Sequence, residues 1–417
     1  MPHSSPLPQR FFTDDPGIPG RIKVRPEDFV VEELPAYEPC GQGEHLYLRV
    51  QKTSVAHHEL IGCLRRRFRL PEIAIGYAGM KDKHAVTRQT VSLHLPDDPN
   101  NLDLEHKRIE VLWAKRHKNK IKRGHLRGNR FSIRIRDIDP RHAPAVAQML
   151  HRLQRLGAPG YYGPQRFGYR HNNHVLGAAL LLQDFSGFLR ELLGATGSPF
   201  PEYQRQRREL FDLGQHEDAV KLWTRSDRAE LVALSKLCTS GNQRQAVFAI
   251  GRLTLNFYAS AVMSAVFNRV LDHRIDAGTV DQLLEGDLAW KHDSRAVFPV
   301  TAEELATGRL APRLQRLEIS PSGPLWGNGF RFAAGQVAEI ERHALEATGI
   351  TQELALTSPM RPEGGRRPFR SPIAHPRVDS GADEHGPYIH IAFDLPRGTY
   401  ATTVLREIMK SDQPDPT

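Results

Sequence analysis

Cysteine is scarce in this sequence. Only three cysteines occur among 417 residues, at Cys40, Cys63 and Cys238. They are odd in number and far apart, which excludes a disulfide framework and a zinc site built on paired cysteines. A reducing compartment is therefore expected.

Recognisable metal-binding and nucleotide-hydrolysing motifs are also missing. The neighbouring histidines, His57 with His58 and His171 with His174, and the isolated His117 lack a third ligand at carboxylate or thiolate spacing. We interpret them as exposed or RNA-facing side chains and predict no metal site. The glycine-containing stretch at residues 163–168 has no phosphate-loop lysine, so nucleotide hydrolysis is not supported.

No long hydrophobic run is present. The most apolar window, residues 246–267, contains Arg252 and Asn256 and falls short of an uninterrupted membrane span. The opening sequence MPHSSPLPQRFF lacks the basic-then-apolar order of a signal peptide. We predict a soluble cytoplasmic protein without a membrane partner.

Positive charge is in excess. The chain holds 57 Lys and Arg against 48 Asp and Glu, a formal net charge of +9. This excess favours an anionic partner, either a nucleic acid or an acidic membrane surface, and composition does not choose between them. At about 150 residues per domain, the length predicts two or three domains.

Periodicity divides the chain into segments. Five prolines predict an irregular lead-in over residues 1–20, and mixed strand and helix patterns predict an α+β region over residues 21–158. Long helical windows at 219–237 and 244–271 predict a mainly helical domain over residues 159–358.

The strand pattern returns near the C-terminus. Residues 360–387 lack periodicity and predict a long loop, 388–395 alternate like a strand, and 402–409 are typical of a helix. Residues 359–410 would then complete the sheet of the first domain, with the helical domain inserted into it and residues 411–417 as a tail.

One window concentrates the cations. Residues 107–136 contain twelve Lys and Arg and a single acid, Glu110. Within it, residues 129–136 alternate between apolar and mostly basic side chains, which predicts a strand with one core face and one cationic face. Such a run is either a solvated face or a surface for a phosphate backbone, which would give affinity without sequence specificity.

The most informative segment is residues 73–89. Its short apolar run, spaced by Gly76 and Gly79, places Asp82 between Lys81 and Lys83 at a strand end or tight turn. The residue is either an ordinary turn aspartate with two surface lysines or a carboxylate kept ionised by adjacent cations and available as a nucleophile.

Six segments together resemble one known family. They are RPEDFVVEE at residues 25–33, GMKDKHAVTRQ at 79–89, RH at 116–117 with Lys120, LRGNRF at 126–131, GYYGPQRFG at 160–168 and LPRGTYATTVLRE at 395–407. In this order they resemble the D-type tRNA pseudouridine synthases, the TruD family. The resemblance extends from about residue 21 to 410.

The resemblance implies a fold and a reaction. The fold would be the mixed α/β sheet of pseudouridine synthases, interrupted by the helical domain special to this family. The enzyme would isomerise uridine, at position 13 in the D arm of tRNA, to its C-glycoside without a metal or an organic cofactor. We favour a monomer, although the sequence leaves the oligomeric state open.

The resemblance also carries over site residues. Asp82 matches the catalytic aspartate, which would act at C1′ or in removing the C2′ proton. Phe29 and Asn129 match positions lining the uridine pocket, and Tyr400 stands where the family places an aromatic, often phenylalanine, against the base. Lys23 matches a basic residue able to pair with the aspartate. The alternatives are core aromatics, a turn asparagine and an ordinary strand lysine.

Other functions remain open at this point. A base-excising hydrolase would need a second carboxylate to activate water. The candidates Glu27, Asp28, Glu32 and Glu33 are clustered, so we interpret them as solvated or structural. An RNA-binding protein without chemistry is the other alternative. Four arginines of the C-terminal loop are candidate phosphate contacts: Arg361, Arg366, Arg367 and Arg370.

Overall fold

A computed structural model describes residues 5–99 and 101–411. The chain forms two compact units. The sheet unit comprises Thr13–Ala158 and Ser371–Thr417, and the helical unit comprises Met1–Phe12 and Pro159–Arg370. The first four residues of the lead-in and residues 412–417 of the tail lie outside the described residues.

The first part of the sheet unit alternates strands with two helices. In chain order these are β1 (Phe29–Pro35), β2 (His45–Thr53), α1 (His57–Phe68), β3 (Ile75–Tyr77), β4 (Val86–His94), β5 (Ile109–His117), β6 (Leu126–Arg136) and α2 (Ala143–Leu156). The predicted strand at 129–136 lies within β6 and is confirmed.

The helical unit follows a two-residue strand, β7 (Ala158–Pro159), at the boundary. Its helices are α3 (Asn173–Leu181), α4 (Phe185–Leu193), α5 (Arg205–Asp212), α6 (His216–Leu222), α7 (Arg228–Ser240), α8 (Gln243–Ala249), α9 (Arg252–Asp276), α10 (Ala302–Ala306), α11 (Leu310–Gln315), α12 (Gly335–Glu346) and α13 (Gln352–Thr357). Its strands β8 (Leu288–Lys291), β9 (Val297–Pro299), β10 (Ile319–Leu325) and β11 (Gly365–Pro368) form a second sheet in the order β11-β10-β8-β9.

The chain returns through a two-residue strand, β12 (Arg370–Ser371), to the sheet unit. There it forms β13 (Ala374–Asp383), β14 (Gly386–Pro396) and α14 (Ala401–Met409). The strand predicted at 388–395 and the helix predicted at 402–409 are confirmed.

The main sheet joins the first and the last segments of the sheet unit, because β14 pairs with β6. Its order is β13-β14-β6-β1-β4-β2-β5, and β3 also pairs with β4. The β1–β4 pair is parallel, and the other pairs are antiparallel. The mixed sheet with its packed helices confirms the α+β class.

The prediction of a long loop at residues 360–387 is wrong. β11, β12, β13 and the first residues of β14 occupy most of it, and β13 pairs with β14 from Ala374 to Asp383. β13 is an edge strand whose side chains are all exposed or half-buried, so it has no buried face to impose apolar alternation. Hydrophobic periodicity is therefore absent from a real strand.

The units also differ from the predicted segments at two boundaries. The helical unit extends to Arg370 rather than to residue 358, because β11 pairs with β10. It also includes the beginning of the predicted lead-in, where the backbone amides of Gln9 and Arg10 donate to Asp272 of α9.

Two predicted helical windows are each broken. Residues 219–237 are divided between α6 and α7, and residues 244–271 between α8 and α9. Gly251 separates the second pair with φ +100°, a backbone conformation that favours glycine. Among the described residues no single helix is both long and apolar enough to cross a membrane, although α8 and α9 together, bent by 97°, meet that length and composition.

Candidate active site around Asp82

Asp82 lies in the turn that joins β3 to β4 in the middle of the main sheet. Backbone contacts fix both ends of this turn. The amide of Gly124 donates to the carbonyl of Ala78 over 2.8 Å, and the amide of Ser54 donates to the carbonyl of Ala85 over 3.1 Å. The side chain of Asp82 is 42 % exposed, so the turn presents a carboxylate to solvent from a fixed backbone.

Lys23 supplies the cation nearest to this carboxylate. Its Nζ lies 3.6 Å from Oδ2 of Asp82 and 4.6 Å from the centroid of the Phe29 ring. The Lys23 side chain is only 6 % exposed, and its backbone adopts φ +54°. A non-glycine residue in the left-handed region is uncommon, and here the conformation places a buried ammonium group beside Asp82. The structure thus brings together three of the predicted site residues.

The expectation that Lys81 and Lys83 flank and stabilise the Asp82 carboxylate needs correction. The Lys81 ammonium donates to Oε2 of Glu33 over 2.8 Å, and both side chains are buried. Lys83 is exposed, with no carboxylate within 4 Å among the described residues. Consecutive side chains point in different directions from the turn, so sequence adjacency does not produce pairing.

Phe29 is at once a core aromatic and a neighbour of the site. Its ring is 1 % exposed and meets Phe131 edge to face, with centroids 6.3 Å apart. Phe131 in turn contacts Phe393, so β1, β6 and β14 share one aromatic cluster. The Phe29 ring is therefore fixed by its packing and presents an apolar surface to the Lys23 ammonium group.

Asn129 lies on β6 between Glu33 of β1 and Leu395 of β14. Its Oδ1 is buried and accepts no hydrogen bond from the described residues. A buried carbonyl oxygen without a donor is costly and is rare in folded proteins. Asn129 therefore has an acceptor available for a ligand that enters this part of the sheet.

Tyr400 precedes α14 and is 44 % exposed. Its backbone carbonyl accepts from the amide and the hydroxyl of Thr403, which fixes the start of the helix. Arg397, in the same turn, donates to the carbonyl of Gly124, whose amide binds Ala78. The segment just before Tyr400 is thus hydrogen-bonded to Gly124, which is itself hydrogen-bonded to the beginning of the Asp82 turn.

The four clustered acids are held in ion pairs. Arg25 lies 3.7 Å from Glu27, Arg136 2.7 Å from Asp28, Arg49 3.0 Å from Glu32 and Lys81 2.8 Å from Glu33. Asp28 and Glu33 are buried, and Glu27 and Glu32 are partly exposed. These pairs support a structural role for the acids rather than activation of water.

The predicted cationic face of β6 is also wrong in one respect. The three arginines of residues 129–136 pair with acids from elsewhere in the sheet unit: Arg130 with Asp394, Arg134 with Asp383, and Arg136 with both Asp28 and Asp383. These pairs depend on the alignment of β6 with β14 and β1, which local sequence does not reveal.

Other cations in the same window have no acidic partner. Within the described residues, no carboxylate lies within 4 Å of Lys107, Lys115, Lys118, Lys120, Lys122, Arg123 or Arg127. Most belong to the connection between β5 and β6, in which Lys120 donates to the carbonyl of Ile73 just before β3 and Arg123 donates to the hydroxyl of Tyr77 in β3. We therefore narrow the predicted phosphate-binding surface from the whole window to the connection between β5 and β6.

Two of the four C-terminal arginines do not fit the predicted phosphate contacts. Arg366 is buried against Glu341, and Arg370 is buried with its pKa lowered to about 10 by desolvation. Arg367 is half-buried over the ring of Tyr162, and Arg361 is exposed. Arg366 lies in β11 and Arg370 begins β12, so neither is in an open loop, which explains their burial.

His57 is partly buried against an aromatic ring. Burial lowers the pKa of His57 to about 4, and its ring meets that of Tyr77 edge to face.

In the ranges 5–99 and 101–411, no cluster of three or more His, Cys, Asp or Glu is arranged to hold a metal ion.

Sequence reasoning missed Lys52. Its Nζ donates to the backbone carbonyl of Asp82 over 2.8 Å and to that of Val55 over 2.7 Å. The signal was present in β2, where Lys52 continues the alternating face of Leu48 and Val50. A lysine on an otherwise apolar strand face is unusual enough to have marked it.

Comparison with known proteins now decides the family. The family model described as tRNA pseudouridine synthase D (TruD) matches residues 8–408. The chain belongs to the TruD family. It is 39 % identical to tRNA pseudouridine synthase D of Geobacter metallireducens over 96 % of this chain and 97 % of that protein. The protein of the same name from Anaeromyxobacter dehalogenans is 35 % identical over 96 % of each chain.

A solved structure agrees with this assignment. The crystal structure of a putative tRNA pseudouridine synthase D (TruD) from Methanosarcina mazei matches with a TM-score of 0.80 and 26 % identity, covering 97 % of each chain. TruD proteins are pseudouridine synthases, and this chain is accordingly an isomerase. The resemblance inferred from the six sequence segments is confirmed.

Proposed function

We propose that this TruD protein converts uridine 13 in the D arm of tRNA to pseudouridine, with Asp82 as the catalytic residue. The observation that carries the proposal is the Asp82 turn itself. A half-exposed carboxylate stands on a fixed backbone, 3.6 Å from the buried ammonium group of Lys23. This arrangement pairs the carboxylate with a cation and keeps its oxygen atoms accessible to a substrate.

The chemistry needs such a group at the ribose. The bond between C1′ and N1 breaks with its electron pair leaving on the uracil, the uracil rotates within the site, and a bond from C1′ to C5 forms while C5 loses a proton and N1 gains one. Asp82 either attacks C1′ and forms an ester bond that breaks when C5 bonds to C1′, or takes the C2′ proton to give a glycal and returns that proton when C5 bonds to C1′. In both routes the ammonium group of Lys23, 3.6 Å away, holds the carboxylate in place before reaction.

The target base must leave its stack, which costs a few kcal/mol and requires new partners for the flipped base. Three features of the site suit this requirement. The buried Oδ1 of Asn129 can accept the N3–H of uracil, the half-exposed ring of Tyr400 can stack on the base, and Phe29 closes the apolar side. Retention of uracil between bond breaking and bond making distinguishes isomerisation from hydrolysis.

The remaining RNA would lie along the connection between β5 and β6. Its cations lack acidic partners among the described residues. Lys120 contacts Ile73 just before β3, and Arg123 contacts Tyr77 of β3, the strand that leads into the Asp82 turn. Lysine and arginine bound to phosphates give affinity for any sequence. Choice of the uridine would then depend on the shape of the folded tRNA and on access to the base pocket.

The test uses a tRNA transcript labelled with tritium at uridine C5. Wild-type protein should release tritium to water with the RNA chain intact, and pseudouridine should map to position 13. Asp82→Asn should release none while binding the RNA with unchanged affinity. Asp97→Asn is the matched control, since Asp97 is an exposed acid of the same unit that follows β4.

Three outcomes would overturn parts of the proposal. Free uracil would indicate a hydrolase, and RNA binding without tritium release by the wild-type protein would indicate a binding module. Pseudouridine at another position would leave the chemistry in place and refute the assignment of uridine 13.

A further inference from the structure

Lys52 is a lysine inside the core of the sheet unit. It is 0 % exposed and lies near the end of β2, opposite Thr87 of β4 and Ile109 of β5. A buried ammonium group is strongly disfavoured unless it is paired or hydrogen-bonded. A methionine of similar length would fill the same space without that penalty, so packing alone does not explain a lysine here.

The ammonium group has backbone partners rather than an acidic one. It donates to the carbonyl of Val55 over 2.7 Å and to that of Asp82 over 2.8 Å. No carboxylate oxygen lies within 4 Å of it among the described residues. Burial lowers the pKa of Lys52 to about 8, partly opposed by the attraction of Asp82.

The two carbonyls belong to different segments of the sheet unit. Val55 lies between β2 and α1 and is fully buried, whereas Asp82 lies in the β3–β4 turn. The same two segments also meet through the amide of Ser54 and the carbonyl of Ala85. Lys52 therefore adds a bond at the residue that carries the reactive group, where the Ser54 contact holds only the end of the turn.

We propose that Lys52 is a positioning residue that clamps the backbone of Asp82 to the segment before α1 and so fixes the direction of the Asp82 carboxylate. This inference rests on the proposed catalytic role of Asp82. Two ammonium groups then serve one residue. Lys23 faces the carboxylate, and Lys52 holds the backbone carbonyl of the same aspartate.

The kinetic consequence follows from geometry. Without the clamp the carboxylate would move relative to the ribose, and a displacement of about 1 Å can cost on the order of a hundredfold in rate. RNA affinity should change little, because phosphate contacts elsewhere supply most of it. A clamp predicts a fall in kcat with a nearly constant KM.

The experiment compares Lys52→Met with Val50→Ala. Val50 is fully buried two residues earlier on the same face of β2, so its truncation perturbs the same core without touching the Asp82 turn. We expect Lys52→Met to lower kcat about tenfold to a hundredfold, with KM for tRNA within about twofold. Val50→Ala should lower the melting temperature and leave kcat of the folded enzyme unchanged.

Lys52→Arg is the second variant, because arginine retains donors for the two carbonyls. It should restore part of the kcat lost in Lys52→Met. If Lys52→Met does not fold, the same comparison is made between Lys52→Arg and wild type, where a longer and differently shaped clamp should lower kcat at constant KM.

Specific outcomes contradict the clamp. One is a folded Lys52→Met enzyme with wild-type kcat, and another is an equal loss of kcat in Lys52→Met and Val50→Ala. For the fallback variant, a wild-type kcat in Lys52→Arg is the contradicting result. Asp82→Asn separates the two claims. If Asp82→Asn turns over normally, the proposed function loses its catalytic residue; if it is inactive while Lys52→Met is fully active, only the clamp fails.

Discussion

Two aspartates of the sheet unit show how a structural carboxylate differs from a reactive one. Asp28 is 0 % exposed, and its Oδ2 accepts from Nε of Arg136 over 2.8 Å and from the amide of Arg25 over 3.1 Å. Asp82 is 42 % exposed, and its carboxylate has Lys23 at 3.6 Å. Asp28 is enclosed by the protein, with Oδ2 hydrogen-bonded and Oδ1 2.7 Å from the Arg136 guanidinium, whereas Asp82 retains oxygen atoms that a substrate can reach.

The same contrast applies to the cations. Arg130 of β6 is held by Asp394, but Lys118 and Lys122 of the connection that precedes β6 have no carboxylate within 4 Å among the described residues. Groups that are satisfied internally stabilise the fold. Groups with remaining bonding capacity are the ones we assign to RNA and to chemistry.

The largest expected effect is on stability, at the buried carboxylate of Asp28. Asp28→Ala removes the buried partner of Arg136 and should lower the free energy of unfolding by about 3 kcal/mol, the lower end of the range for a broken buried pair, because Asp383 still contacts Arg136. Denaturant titration measures this. Asp137→Ala, at an exposed pair with Arg21, should change it by less than about 1 kcal/mol.

The next effect is kinetic, at the cation of the reactive carboxylate. Lys23→Met should lower kcat by roughly tenfold to a hundredfold, because the Asp82 carboxylate loses its nearest positive charge. Single-turnover tritium release measures the rate. Lys83→Met, at the exposed neighbour of Asp82, should retain full activity, and equal losses in the two variants would remove the distinction between them.

A smaller effect is expected at the unpartnered acceptor of Asn129. Asn129→Ala should lower kcat/KM about tenfold, or roughly 1–2 kcal/mol, because the flipped base loses one hydrogen bond. The free energy of unfolding should stay constant or rise, since a buried oxygen without a donor is removed. A destabilised variant with full activity would show that Asn129 serves the fold instead.

The smallest effect per residue concerns the cations without acidic partners. Replacing Lys118 and Lys122 with Gln should weaken tRNA binding and reduce the slope of log affinity against log salt by about 2. Arg130→Gln, at a cation already paired with Asp394, should leave the slope unchanged. A larger change for Arg130→Gln would reverse the comparison.

Much of this arrangement was predictable from local pattern. The alternation in β6 identified the strand, and the short apolar run before Asp82 identified its turn. The approach of Lys23 to Asp82 was anticipated only through family resemblance. Local pattern could not supply it, because the parallel pairing of β1 with β4 brings those segments together from distant parts of the chain.

What failed depended on pairing across the sheet. Local alternation predicts a free cationic face for residues 129–136, but the acidic partners of its arginines come from β13, β14 and the turn before β1. The edge strand β13 has no buried face and was interpreted as a loop. Lys52 stood on an apolar strand face, and only the folded chain shows that its ammonium group reaches the backbone of Asp82.

The most direct test of the account compares Asp82→Asn with wild type under single-turnover conditions, with stability and tRNA affinity measured on the same samples. The account predicts a rate lowered by more than about a thousandfold, with an unchanged melting temperature and unchanged affinity. A rate within tenfold of wild type, or loss of folding in this variant, would place Asp82 with Asp28 among the structural carboxylates and contradict the central claim.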